Sequence, residues 1–125
     1  MKILLSGIIL ALSASAIADE TQTRAQAYQS IQALTNATKA LAQADLSCKD
    51  AVDCTVIGLG DRACGGVSEY MIASLKNANI EEIQYLANRT QEREAEYNGI
   101  YAVISICSIE MPPAFACNEG TCQAK

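Results

Sequence analysis

The sequence predicts a small α+β domain, held by disulfides, with a short antiparallel sheet, one packed helix and an additional N-terminal helix. Three observations predict it. Six cysteines lie in a chain of 125 residues, two stretches repeat apolar residues at helical spacing, and the segments around them carry β-branched residues bounded by Gly, Asn and Pro. The stretch on which these pieces turn is Gly58-Leu59-Gly60-Asp61-Arg62-Ala63-Cys64-Gly65-Gly66, a cysteine within a run holding four glycines.

Residues 1–18 read as a signal peptide rather than as part of the fold. Lys2 precedes an apolar run that ends in small residues at Ala16-Ile17-Ala18, and Asp19-Glu20 follow directly. The run is shorter than the roughly 18 to 20 apolar residues that span a bilayer, so cleavage after Ala18 is expected rather than a retained anchor. No cysteine lies near that point to carry a lipid. The expected localisation is therefore exported, periplasmic or secreted, with no stable membrane anchor after signal cleavage. The remainder divides into an N-terminal helical segment, 19–46, and a disulfide-rich α+β domain, 47–125.

The chain carries nine basic and 14 acidic residues, a formal net charge of −5. Binding to nucleic acid or to anionic lipid needs clustered positive charge, so neither is expected as a partner. Half of the residues are apolar, yet there is one Phe and no Trp, and much of the rest is alanine. Small side chains bury little area at about 25 cal/mol per Å², which is the condition under which exported domains recruit disulfides.

In chain order, Ala27, Ile31, Leu34, Thr38 and Leu41 recur at spacings of three and four, predicting an amphipathic helix over residues 23–44. Its stripe is narrow and rich in alanine, so it is expected as a loosely docked arm, packed on the core or a flexible leader, rather than as a shield over a partner-binding face. Residues 45–53 read as a surface turn between Cys48 and Cys54. Asp50 and Asp53 lie in it, but the oxygen spacing and closing Glu of a helix-loop-helix calcium site are absent. Residues 55–59 have the β-branched character of a strand. The glycine-rich run then reads as a turn that delivers Cys64 to its partner. A phosphate cradle would need Lys and Ser or Thr opening a helix, and Val67-Ser68-Glu69 stand there instead. Arg62, the one cation of the loop, is expected to pair with Asp61 or a neighbouring carboxylate.

Residues 70–74 read as a second strand or a short helical turn. The clearest helix follows over 80–97, with Asn79 and Glu82 as a capping box and Glu81 near the positive end of the dipole. Asn98-Gly99 is expected to end it, and Glu92, Arg93, Glu94 and Glu96 read as a solvated face. Residues 100–107 read as a buried strand or an irregular connector. Pro112-Pro113 make an extended link, and Cys117-Asn118-Glu119-Gly120-Thr121-Cys122 reads as a β-hairpin closing the sheet.

The chain contains no histidine, which removes the usual general base at neutral pH and the commonest nitrogen ligand for metals. No Cys-x-x-Cys occurs, so zinc-knuckle and thioredoxin-like spacings are missing. No catalytic set, cofactor or metal site is read. The remaining enzymatic reading is a weak hydrolase of the cell envelope using a carboxylate pair from Glu81, Glu82, Glu92, Glu94 and Glu96, whose spacing instead suits a solvated helix face.

The cysteines are therefore structural. The preferred bridge is Cys64–Cys107, which ties the glycine turn to the segment after the long helix and closes a loop of about 43 residues, worth roughly 4 kcal/mol of chain entropy. Cys48 and Cys54 are either stitched to Cys117 and Cys122 in an order the sequence leaves open, or each pair closes locally.

The residues also resemble an uncharacterised family of small exported six-cysteine proteins of Gram-negative bacteria. The resemblance runs through Cys48 and Cys54, then Gly60, Cys64, Gly65 and Gly66, a nearby Tyr70, and the helix end Glu94, Tyr97 and Asn98. It continues with Ser105 and Cys107, the Pro-rich link and the terminal Cys117, Gly120 and Cys122. The chain departs from that pattern at Val67, where Pro is usual, at Ala73, where a second Tyr is usual, and at Ile106, where Asp is usual. The resemblance implies a shared disulfide framework and supplies no reaction. The expected function is that of a non-enzymatic exported binding or inhibitor-like protein. Its interaction loop would comprise Gly60, Asp61, Arg62, Gly65, Gly66 and Tyr70, and its partner would be an unknown protein or envelope ligand.

Overall fold

The computed structural model describes residues 23–108 and 110–125; the signal peptide read at residues 1–18 lies outside them. In order they form helix α1 (Arg24–Gln43), a short 3-10 turn (Ala51–Asp53), strands β1 (Cys54–Leu59) and β2 (Glu69–Ser74), helix α2 (Ile80–Ile100), and strands β3 (Phe115–Asn118) and β4 (Thr121–Ala124). This is a small α+β domain with two antiparallel hairpins in place of one sheet.

Helix α1 begins at a capping box: Gln26 N–H donates to the Thr23 hydroxyl at 3.1 Å, and Thr23 N–H donates back to Gln26 Oε1 at 3.0 Å. It is no loose arm. Ile31, Thr38 and Ala42 are buried, and Ala42 belongs to the main core with Ile57, Leu59, Ala73, Ile83 and Ala87. The helix and residues 47–125 thus share one core. Ala42 of this helix and Ala87 of the later one lie in the same core, and Thr38 satisfies its buried hydroxyl on the Leu34 carbonyl at 2.7 Å.

Strands β1 and β2 pair from Cys54 opposite Ser74 to Leu59 opposite Glu69, so the glycine-rich run is the loop of this hairpin. The terminal hairpin pairs Phe115 with Ala124 and Asn118 with Thr121. Glu119 and Gly120, with φ of 52° and 77°, make the turn, as a tight hairpin demands. Instead of closing the first sheet, this hairpin lies along residues 46–48: Cys122 N–H reaches the Leu46 carbonyl at 2.8 Å and Cys48 N–H the Gly120 carbonyl at 3.0 Å. A second small core of Cys48, Cys54 and Cys122, packed by Leu46, Ile72 and Phe115, holds the two hairpins together.

Helix α2 departs from expectation at both ends. Asn79 forms no side-chain cap. The buried Asn77 takes that role: its Oδ1 accepts from Asn79 N–H at 2.8 Å, while its Nδ2 donates to the carbonyls of Leu41 at 2.9 Å and Asp45 at 3.3 Å. One amide thereby satisfies the end of α1 and the start of α2 together. At the other end the helix runs through Gly99 to Ile100, and Ala102, at φ 47°, makes the left-handed exit. The segment that follows is irregular, with Ile104 94% exposed, so the buried-strand reading fails.

The turn at 45–53 is organised by its carboxylates. Asp50 caps the 3-10 turn through Val52 N–H at 3.0 Å, Asp53 accepts from Lys49 N–H at 2.8 Å, and Asp45 from Ser47 N–H at 3.0 Å. The Lys49 bond holds the Asp53 carboxyl below the usual carboxylate range, against an opposing effect of burial, and bonds from the Ser47 side chain and backbone do the same for Asp45. Both groups ionise at lower pH in the folded chain, so their contribution is complete above about pH 4 and is lost as pH falls through the lowered values. Amide exchange at Ser47 and Lys49, corrected for intrinsic rate, should speed up in that acid range. The acceleration should vanish in D45N and D53N variants respectively.

Candidate functional site

Three elements meet at the loop between β1 and β2 and enclose an open cleft of about 540 Å³. One wall is α1, contributing Tyr28, Ile31, Thr35 and Lys39; the opposite wall is the end of α2; the rim is the loop itself with Val103 and Ser105.

The loop is gripped from below by one face of α2. Gly60 N–H donates to the Thr90 hydroxyl at 3.0 Å, which in turn donates to the Ala87 carbonyl at 2.6 Å. Asp61 N–H donates to Glu94 Oε1 at 3.1 Å, and the Ser68 hydroxyl donates to the same oxygen. Asn98 Nδ2 reaches the Asp61 carbonyl at 2.7 Å, and Gln91 Nε2 the Gly58 carbonyl at 2.9 Å. Thr90, Glu94 and Asn98 stand four residues apart, so they lie along one helix face. Glu94 is therefore no member of a solvated face: it is a bracket for the hairpin loop.

From the other side the loop is tied to residues 105–110. Cys64 is bonded to Cys107, and Cys64 N–H donates to the Ser105 hydroxyl at 3.0 Å. Arg62 donates to the Ser108 carbonyl at 2.8 Å and pairs with Glu110 at 3.1 Å, so its carboxylate partner is a distant one and not Asp61. Across the cleft Lys39 pairs with Glu69. Inside the loop, Arg62 N–H meets the Gly66 carbonyl and Gly65 N–H the Arg62 carbonyl, both at 2.9 Å. Ala63, Cys64, Gly65 and Gly66 form its exposed tip.

Of the proposed loop residues, Gly60, Asp61 and Arg62 line the cleft, and Gly65 and Gly66 lie at the tip. Tyr70 does not join them. It lies beyond the loop on β2, its hydroxyl 3.4 Å from the Glu110 carbonyl. Among the glutamates weighed for a carboxylate pair, Glu94 alone lines the cleft; Glu81, Glu82, Glu92 and Glu96 are exposed on α2. Sequence reasoning missed Thr90, Ser68 and Asn77. A Thr four residues before Glu94 and eight before Asn98 was the available signal for the first.

At one end of the cleft Tyr28, Tyr97 and Tyr101 stack in series, with ring centroids 5.8 and 4.8 Å apart. The Arg24 guanidinium lies 5.9 and 5.7 Å from the rings of Tyr97 and Tyr101, and its Nε donates to the Tyr97 hydroxyl at 3.1 Å.

The other four cysteines stitch the early pair to the terminal hairpin, Cys48 to Cys117 and Cys54 to Cys122. The sulfurs of Cys48, Cys54 and Cys122 lie within 4.8 Å of one another, but each is committed to a disulfide and offers no thiolate to a metal. Cys48, Cys54 and Cys122 are buried, whereas Cys64 and Cys107 are exposed. Thiol attack needs access to sulfur. Limited dithiothreitol under native conditions, followed by alkylation and peptide mapping, should therefore label Cys64 and Cys107 before any other cysteine.

Fold and site together define a small, triply disulfide-stapled α+β domain that displays a braced hairpin loop beside a cleft. No protein-family model, no curated protein and no solved structure matches the chain.

Proposed function

We propose that the chain is an exported, non-enzymatic binding protein, inhibitor-like in presenting the loop at residues 60–68 to a protein or envelope ligand. The observation that carries this reading is the bracing of the loop. Thr90, Glu94 and Asn98 hold its base and the Cys64–Cys107 bridge holds its far side, leaving Ala63, Gly65 and Gly66 exposed. A loop already fixed in one shape loses little entropy on binding, which is the usual gain from preorganisation.

The charges around the cleft favour binding over hydrolysis. Lys39 is matched by Glu69, Arg62 by Glu110, and one oxygen of Glu94 is occupied by Asp61 N–H and the Ser68 hydroxyl. Export is supported by the leader-like residues 1–18, by three disulfides with no free cysteine and by the resemblance to small exported six-cysteine proteins of Gram-negative bacteria. No helix among the described residues is long and apolar enough to cross a membrane. Several residues that carry the resemblance, Gly60, Cys64, Glu94, Asn98 and Ser105, meet at this loop.

The test uses the exposed tip. Wild-type chain and an A63R variant, both shown to hold three disulfides, are immobilised and exposed to periplasmic extract and culture medium. A component retained by wild type and lost with A63R is the expected result. Equal retention by both, or no specific retention, overturns the reading.

A further inference from the structure

The Cys64–Cys107 bridge differs from the other two in its surroundings. Cys48, Cys54 and Cys122 are 9%, 5% and 2% exposed and pack in the second core, whereas Cys64 and Cys107 are both exposed. The two exposed cysteines also have unequal neighbours. Cys64 is followed by Gly65 and Gly66, and a carbon added at either glycine would meet nothing within 4 Å, so that flank is open among the described residues. Cys107 stands between the side chains of Ile106 and Ser108, and the Ser108 carbonyl holds the Arg62 guanidinium at 2.8 Å. The parts that the bridge joins are held by different means. Thr90, Glu94 and Asn98 of α2 fix the base of the hairpin loop, while the segment carrying Cys107 supplies Val103 and Ser105 to the rim of the cleft.

We propose that Cys64 is a thiol-exchange site: a small aliphatic thiol forms a mixed disulfide there and releases Cys107, which frees the rim of the cleft while the loop base stays fixed. The thiolate attacks Cys64 Sγ from the open glycine flank, in line with the existing S–S bond. As the new S–S bond forms, the old one breaks, and Cys107 leaves as a thiolate that takes a proton from water. One disulfide replaces another, so there is no net oxidation, and the thiol is the sole co-reactant. Closure is the reverse step, in which the Cys107 thiolate attacks Cys64 Sγ and expels the small thiolate. Ser105 on Cys64 N–H, and Arg62 on Ser108 and Glu110, keep Cys107 close to Cys64. That proximity gives the returning thiol a high effective concentration and makes the exchange reversible. Burial of Cys48, Cys54 and Cys122 withholds their bridges from the same attack. The exchange does not depend on the loop tip having a partner.

The probe is 2-mercaptoethanol, which is small and uncharged. Wild-type chain treated with it at mildly alkaline pH, quenched at early times with N-ethylmaleimide and mapped, should carry mercaptoethanol on Cys64 and maleimide on Cys107. The Cys48–Cys117 and Cys54–Cys122 bridges should remain closed, and dialysis of an unquenched sample should restore Cys64–Cys107. A C107S variant capped on Cys64 with mercaptoethanol is a stable form of the adduct. Amide exchange at Cys64, whose N–H is held by Ser105, should be about tenfold faster there than in wild type, with Gly60 and Asp61 unchanged. The proposal is overturned by any of four results: an adduct on Cys107 as often as on Cys64, prior opening of either other bridge, no reaction of Cys64 with the chain folded, or loss of protection at Gly60 and Asp61 together with Cys64.

Discussion

A variant lacking both the Cys48–Cys117 and Cys54–Cys122 bridges is expected to be unfolded at 25 °C, while either bridge alone maintains the fold. The bridges span sequence separations of 69 and 68 residues. Taken singly, closing such a loop is worth about 4 kcal/mol in the chain-entropy model. They are nearly parallel, however, since Cys48 lies close to Cys54 in sequence and Cys117 to Cys122. With one intact, breaking the other opens a ring of only about 12 residues, costing roughly 3 kcal/mol. Breaking both, with Cys64–Cys107 still closed, also opens a ring of about 26 residues, so the two losses together come to about 6 kcal/mol. Total stability for a small domain is of order 5–15 kcal/mol, and a core whose largest fully buried side chains are Leu59 and Ile83 places this chain at the lower end. Urea unfolding followed by circular dichroism should give a cooperative transition lowered by about 3 kcal/mol for C54A/C122A, and no cooperative transition for the variant with all four cysteines replaced by alanine. A four-alanine variant that unfolds cooperatively within about 2 kcal/mol of wild type would show that the helices and the first hairpin stand without these bridges.

What the sequence discloses of this fold depends on distance along the chain. Helix α1, strands β1 and β2, the body of α2 and the terminal hairpin arise from local patterns, and the chain forms them nearly where the patterns lie. The misreadings arise where a distant group takes over a local role. Asn79 has the sequence of a cap, but the buried Asn77 captures its N–H because Asn77 is itself fixed by the end of α1. Gly99 has the sequence of a helix end, but Tyr97 and Tyr101 stack on each other and beneath Arg24 of α1, and the helix continues to Ile100. Glu94 sits among charged residues and looks solvated. Only the return of the hairpin loop over that face, a contact between residues more than 25 apart, turns its carboxylate into a bracket. Spacing along one helix identifies which residues share a face, but it does not say what covers that face.

Substitution of Gly60 by alanine should therefore do far more damage than the same substitution at Gly66, although both glycines have positive φ, 73° and 80°. Left-handed backbone costs a residue with a Cβ about 1 kcal/mol at either position. Around Gly66 there is nothing within 4 Å of an added Cβ, so G66A should lose little beyond that strain. At the buried Gly60 the added carbon would sit 2.7 Å from Ser68 Oγ, 2.8 Å from Ser68 Cβ and 3.0 Å from Glu94 Oε2. Rotating the serine moves its hydroxyl but not its Cβ, which is fixed by the backbone where Ser68 N–H meets the Leu59 carbonyl at 2.9 Å. Relief must come from separating the two ends of the loop, which loosens the Ser68 hydroxyl and Asp61 N–H from Glu94 and leaves a partly buried carboxylate with fewer donors. The combined loss is about 3 kcal/mol, against about 1 kcal/mol for G66A. Amide exchange at Gly60 and Asp61 should accelerate in the first variant and stay near wild type in the second. Equal destabilisation of the two would mean that the loop is shaped by its tip turn and by Cys64–Cys107 alone, and that the α2 face of Thr90, Glu94 and Asn98 does not determine how the tip is displayed.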